Sequence, residues 1–171
     1  MSKGGLKLDR DMVSVLMGEA VIAAAPVRMR TILGSCVGIA LWDRSSTIGG
    51  IAHVVLPDSR GQSQLPGKFA DTAVPFLLGL IVKAGGRKSS VTARIAGGAN
   101  MFKIVSSTNV GEMNQEAVKR ILREHGIPVH FEDLGGEKGR RMTLDTNTGE
   151  VVIETPGDRI SKGFEAANEG R

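Results

Sequence analysis

One cysteine, one tryptophan and no tyrosine in 171 residues narrow what this chain can be. A single thiol excludes an internal disulfide and with it the small stapled scaffolds of secreted domains, which fits a reducing, cytoplasmic setting. With five Phe as the only other aromatics, the core must be built from Val, Ile, Leu, Ala and Met. No apolar run approaches the length of a membrane span; the longest, Phe76 to Val82, belongs to a soluble core. The N-terminal stretch from Met1 to Asp11 lacks the apolar centre of a signal peptide, so neither secretion nor membrane insertion is expected. Paired cysteines and a His-Glu-x-x-His run are also missing, which leaves no metal motif. The glycine pairs lack the strand–Gly-x-Gly-x-x-Gly–helix setting of a dinucleotide loop, and no Gly-Lys-Ser/Thr occurs; no cofactor is expected. The net charge of +4 is spread over scattered basic residues with no aromatic platform between them. That excludes a nucleic-acid binder and leaves a mildly basic, solvated surface.

What is present is an ordinary globular composition, 41% hydrophobic and 23% charged, punctuated by 23 glycines. The length suits one domain. Val13 to Met17, Ala20 to Ala23 and the alternating Val27 to Leu33 read as strands, and two near-continuous apolar runs follow, Val37 to Trp42 and Ile48 to Leu56. The turn-like Asp43 to Thr47 between them predicts a hairpin. A polar loop from Asp58 to Gly67 leads to a helix over about Phe69 to Ala84, closed by Gly85-Gly86, with Pro75 placing its start in question. Ser90 to Ala96 is a strand that runs into Gly97-Gly98-Ala99-Asn100, either a plain turn or a loop offering backbone amides to a ligand. Asn109 caps a second helix ending at Glu124, with Met113, Ala117, Ile121 and Leu122 as its buried stripe. Ile127 to Phe131 is a strand, and Met142 to Asp145 with Val151 to Glu154 form another hairpin. The domain is expected over residues 1–157, with a flexible tail over residues 158–171.

The solitary thiol sits in Gly34-Ser35-Cys36-Val37-Gly38, and His53 follows seventeen residues later. Glycines expose a side chain on a tight turn, and a nearby imidazole can take the thiol proton and hold a thiolate. In the predicted hairpin His53 lies opposite Gly38, two positions from Cys36 on the same face, where diagonal side chains can meet. A slip of one residue would put the two on opposite faces. His125, at a helix C-terminus, and His130, in a short strand, have structural explanations. The Gly-x-nucleophile-x-Gly spacing also occurs in hydrolase elbows, but those need a helix after the nucleophile, and here a strand follows.

Four blocks taken together resemble the CheD family of chemoreceptor glutamine deamidases: Thr31-Ile32-Leu33-Gly34-Ser35-Cys36-Val37, Ile51-Ala52-His53-Val54-Val55-Leu56-Pro57-Asp58-Ser59, Gly67-Lys68-Phe69-Ala70-Asp71-Thr72-Ala73-Val74 and Ile95-Ala96-Gly97-Gly98-Ala99-Asn100-Met101-Phe102. Asn109-Val110-Gly111 with Asn114, and Glu132-Asp133-Leu134-Gly135-Gly136, match in the same order, so the resemblance spans about residues 12–155. It implies an α/β three-layer sandwich with mixed, largely antiparallel sheets and two main helices, similar at its active site to cytotoxic necrotizing factor toxins. It implies hydrolysis of receptor glutamine side chains to glutamate, with methylesterase activity on receptor glutamate esters in some members. Cys36 falls on the family's nucleophile, His53 on its histidine and Thr31 on its third polar residue. Backbone amides of Gly34, Ser35 and Cys36 are the expected oxyanion donors. Asp58, Ser59, Gly97, Gly98 and Phe102 are expected at the substrate or partner rim, Phe102 being either an apolar anchor or a core residue. The implied partners are methyl-accepting receptors and, where present, the CheC phosphatase, with the free protein a monomer. A docking module that regulates receptors or CheC without turnover is the alternative.

Overall fold

Strands β4 (Val37–Asp43), β5 (Ile48–Val54) and β6 (Val91–Gly97) are buried at every residue, because each is covered on both faces. On one face Val37, Ile39, Leu41, Ala52, Val54, Ala93 and Ile95 pack against helices α1 (Ala70–Lys83) and α2 (Val110–Glu124). On the other, Ala40, Ile51 and Ala96 meet Met29, Leu33, Met142, Leu144, Val151 and Ile153 from a second sheet. The layers are therefore helices, central sheet, outer sheet: the three-layer α/β sandwich with mixed sheets. The structure is a computed structural model that describes residues 12–62, 64–102, 109–157 and 159–163.

The central sheet runs β2 (Ala20–Ala24), β5, β4, β6, β7 (Val129–Leu134), and the outer one β1 (Met12–Ser14), β3 (Arg28–Leu33), β8 (Arg140–Asp145), β9 (Val151–Thr155), β10 (Arg159–Gly163). Among the strands of the described residues, β1–β3 and β6–β7 pair in parallel and the other pairs are antiparallel. The outer sheet alternates in the manner of a one-sided sheet: in β3, Met29, Thr31 and Leu33 point inward while Arg28 and Ile32 are exposed.

The β4–β5 hairpin pairs Gly38 with His53 and Asp43 with Ile48, the register the sequence predicts. Its turn is held by Asp43, whose carboxylate accepts from the Ser45 N–H, the Ser45 and Ser46 hydroxyls and the Arg87 N–H. Burial pushes the Asp43 pKa up, but these donors outweigh it and hold the group below its ordinary value.

Helix α1 runs through Pro75 and begins at Ala70, so the proline neither delays nor ends it. Helix α2 is capped as expected, the Asn109 side chain accepting from the Glu112 N–H at 3.3 Å. Its buried stripe differs: Met113 is exposed and Asn114 is buried in its place, together with Gly111, Ala117, Val118, Ile121 and Leu122. Arg159–Gly163, read as the start of a tail, instead pair with β9 as an edge strand. Residues 158 and 164–171 lie outside the described residues.

Candidate active site

Cys36 occupies the bend just before β4, is 9% exposed and belongs to the cluster between the two sheets. His53 points to that same side from β5, as does Thr31 from β3, and both are buried. The Gly38–His53 pairing sets His53 two positions from Cys36 along the shared face. The bend itself is tied to the end of β6: Cys36 C=O accepts from the Gly98 N–H at 2.8 Å, and Gly34 C=O accepts from the Ala99 N–H at 3.0 Å.

Hydrogen bonding assigns the imidazole tautomer. The Thr31 hydroxyl lies 2.7 Å from the Val15 carbonyl oxygen and 2.7 Å from His53 Nδ1. A carbonyl only accepts, so the single hydroxyl proton goes to Val15, and the Thr31 oxygen must accept from Nδ1–H. That leaves Nε2 with its lone pair, and Nε2 is buried with no hydrogen-bond partner among the described residues. A buried polar atom without a partner costs free energy. The sequence left open whether Thr31 acts through its hydroxyl or its carbonyl; the hydroxyl makes the contact.

Burial controls the protonation states. It lowers the His53 pKa from 6.5 to about 4 and pushes the Cys36 thiol above its ordinary value. The resting pair at neutral pH is thus a neutral thiol and a neutral imidazole. Desolvation opposes the charged form of each group in this pocket.

A cleft of about 300 Å³ opens onto the pair's histidine side, lined by Val15, Leu16, Met17, Thr31, Ile32 and His53 among others. Leu16, Met17 and Ile32 are all more than 60% exposed around it. Across Gly34 lies Met101, whose sulfur would meet any Cβ placed on that glycine, and beside it Phe102 is 85% exposed. Phe102 is therefore not a core residue. Asp58 is exposed and caps its own turn by accepting from the Arg60 N–H. Ser59 is buried and bonded to the Asp71 carboxylate at 2.7 Å through its hydroxyl, so it staples the loop to α1. Gly97 and Gly98 are buried beneath the Cys36 bend. A side chain on Gly97 would collide with the Cys36 carbonyl oxygen, and one on Gly98 would collide with Gln115. A larger hollow of about 520 Å³ lies at Gln62, Gln64, Leu65, Lys68 and Phe69; these described lining residues include no nucleophile–base pair.

Asn114 was matched by sequence but given no role. It is fully buried, and its Nδ2 donates to both Ser35 C=O, at 3.2 Å, and Val55 C=O, at 2.9 Å. One amide thus bridges the segment preceding the thiol and the one following His53. The signal available in the sequence was an asparagine on an otherwise apolar helix stripe.

The family model described as CheD chemotactic sensory transduction matches residues 55–155, more than half of the chain. The chain belongs to the CheD family. Relatives named probable chemoreceptor glutamine deamidase CheD share 47% identity with it in Methanococcus maripaludis, over 83% of this chain and 94% of that protein. The relative of that name in Clostridium kluyveri shares 46% over 88% and 96%, and the one in Clostridium novyi 42% over the same shares. The segment matched by the CheD model begins two residues after His53. In this CheD chain it is the strand register that sets His53 two positions from Cys36 on one face; the imidazole's one side-chain hydrogen bond is to Thr31. Among solved structures, Bacillus licheniformis hypothetical protein YfiH aligns with a TM-score of 0.47 at 13% identity, over 68% of this chain and 51% of that one.

Proposed function

We propose that this chain hydrolyses glutamine side chains of methyl-accepting chemoreceptors to glutamate, with Cys36 as nucleophile and His53 as base and acid. The observation that carries the reading is the Thr31–His53 hydrogen bond, which leaves an unpartnered Nε2 lone pair on the face shared with Cys36. Nε2 takes the thiol proton as sulfur adds to the glutamine carbonyl carbon, so charge is created only as the bond forms. The tetrahedral oxyanion is held by backbone N–H groups of the Gly34–Cys36 bend. The imidazolium then gives its proton to the departing nitrogen, the C–N bond breaks and ammonia leaves. A water enters, gives a proton to Nε2 and adds its oxygen to the thioester; the C–S bond breaks, yielding the glutamate carboxylate and the thiol.

A methyl ester of glutamate presents the same carbonyl with methanol as leaving group, so the site also suits receptor methylesterase chemistry. The exposed Leu16, Met17, Ile32 and Phe102 suit a partner surface, whether of a receptor or of a CheC-type phosphatase, engaged by a cytoplasmic monomer. Among the described residues, no helix is long and apolar enough to cross a membrane. A docking module without turnover would need no orphaned imidazole nitrogen. The test is mass spectrometry of a receptor cytoplasmic domain co-expressed with this chain or with its Cys36→Ala variant. A gain of roughly one dalton at particular glutamines, NH₂ exchanged for OH, with the first and not the second supports the reading. Equal gain with both overturns the thiol mechanism, and no gain with either overturns the deamidase.

A further inference from the structure

Among the described residues the N–H of Cys36 has no acceptor, and two side-chain amides of α2 bond the carbonyls beside it. Beyond the Val37–Gly97 pair, a regular antiparallel ladder would join Cys36 and Gly98 by two hydrogen bonds, one in each direction. Only one is made: Gly98 N–H donates to Cys36 C=O at 2.8 Å. The return bond, Cys36 N–H to Gly98 C=O, is absent. Gly98 has a left-handed φ of +64°, which only a glycine adopts readily, and its carbonyl accepts instead from Gln115 Nε2 at 2.8 Å. One residue earlier on the same helix, Asn114 Nδ2 holds the Ser35 carbonyl. In a trans peptide the C=O and N–H point in opposite directions, so anchoring Ser35 C=O on α2 turns the Cys36 N–H away from the helix layer. Among the described residues that N–H has no acceptor.

We propose that Asn114 and Gln115 are positioning residues that hold the Cys36 N–H open as an oxyanion donor: Asn114 sets the orientation of the Ser35–Cys36 peptide, and Gln115 occupies the Gly98 carbonyl that would otherwise recapture it. This deepens the deamidase reading and rests on it. The device is a competition for one acceptor. A donor on α2 satisfies Gly98 C=O, so the ladder stops one bond short of the nucleophile and an N–H stays available where negative charge develops. Preorganisation of this kind acts on the transition state and leaves substrate binding and the thiol itself untouched.

The test uses Gln115, which is half-buried, so that folding is spared. Gln115→Met keeps length and removes the donor; Gln115→Lys keeps a donor. Deamidation of a purified receptor cytoplasmic domain gives kcat and KM, and iodoacetamide gives the alkylation rate of Cys36, a displacement at saturated carbon that develops no oxyanion. Gln115→Met is expected to lower kcat about ten- to hundredfold, with KM, the alkylation rate and the thermal midpoint close to wild type, and Gln115→Lys to recover most of the loss. Wild-type kcat in Gln115→Met overturns the inference while leaving the deamidase intact. So does a loss of kcat that alkylation and thermal stability follow in parallel, since that marks a merely structural contact. No deamidation by the wild-type chain overturns the deamidase reading and this inference with it.

Discussion

At the scale of single residues the site is a chain of three groups, each fixing the next. The Val15 carbonyl takes the Thr31 proton, the Thr31 oxygen takes Nδ1–H, and Nε2 keeps its lone pair. Cys36→Ala is expected to fold and to lose deamidation by about 10⁴-fold or more, measured as ammonia release, because it removes the nucleophile and little volume. Thr31→Val, of the same shape, is expected to cost about ten- to hundredfold in kcat/KM, with Thr31→Ser retaining most activity; equal losses in the two would show that the hydroxyl plays no part. The pH–rate profile follows from the burial of His53. Protonated imidazole cannot accept the thiol proton, so kcat/KM is expected to fall as pH drops through about 4, the depressed His53 value. An acid limb at 6.5 would show an imidazole in contact with water. That Cys36 and His53 lie on one face was legible in the sequence, from the hairpin register. The protonation states were not, because desolvation depends on what lies across the gap between two sheets.

At the scale of elements, glycines at the β6 end and amides on α2 determine how the Cys36 bend is held. Gly97 has φ of +106°, and a Cβ there would collide with the Cys36 carbonyl oxygen. Gly97→Ala is expected to destabilise the protein by about 2 kcal/mol or more in urea unfolding, through backbone strain. Its activity is expected to fall further than its folded fraction, because relief of the clash moves the nucleophile. Activity that tracks the folded fraction would show that the bend tolerates the shift. The hairpin register was legible because the turn between the two runs is short and polar, and the length of that turn fixes the pairing. The α2 stripe was misplaced because apolar periodicity favours Met113 over Asn114. The inversion has a physical reason: two carbonyls beneath the helix need a donor, and Asn114 supplies it while Met113 is left exposed.

At the scale of the whole molecule, the central sheet is covered on both faces, and Cys36 and His53 are both buried on the side that faces the outer sheet. Folding and titration are linked by this burial. His53 has a folded pKa near 4 against 6.5 unfolded, so below pH 6.5 the unfolded chain binds more protons and stability falls with decreasing pH. The loss is on the order of 3 kcal/mol, complete below about pH 4. The raised thiol pKa of Cys36 acts at the other end: above pH 9.0 the unfolded chain releases a proton that the folded chain keeps, and stability falls again. Unfolding midpoints in urea across this range check both, and His53→Gln is expected to flatten the acid slope alone; an unchanged slope would show that other groups cause it. The sequence by itself determined the single α/β domain, its two main helices and the hairpin register, because these follow from local periodicity and turn composition. The tertiary structure decided that Arg159–Gly163 extend a sheet, that Ser59 faces Asp71, that Thr31 meets His53 through its hydroxyl and that the Cys36 N–H has no acceptor among the described residues. Each of these depends on which donor meets which acceptor across segments far apart in the chain, and spacing along a sequence carries no record of that pairing.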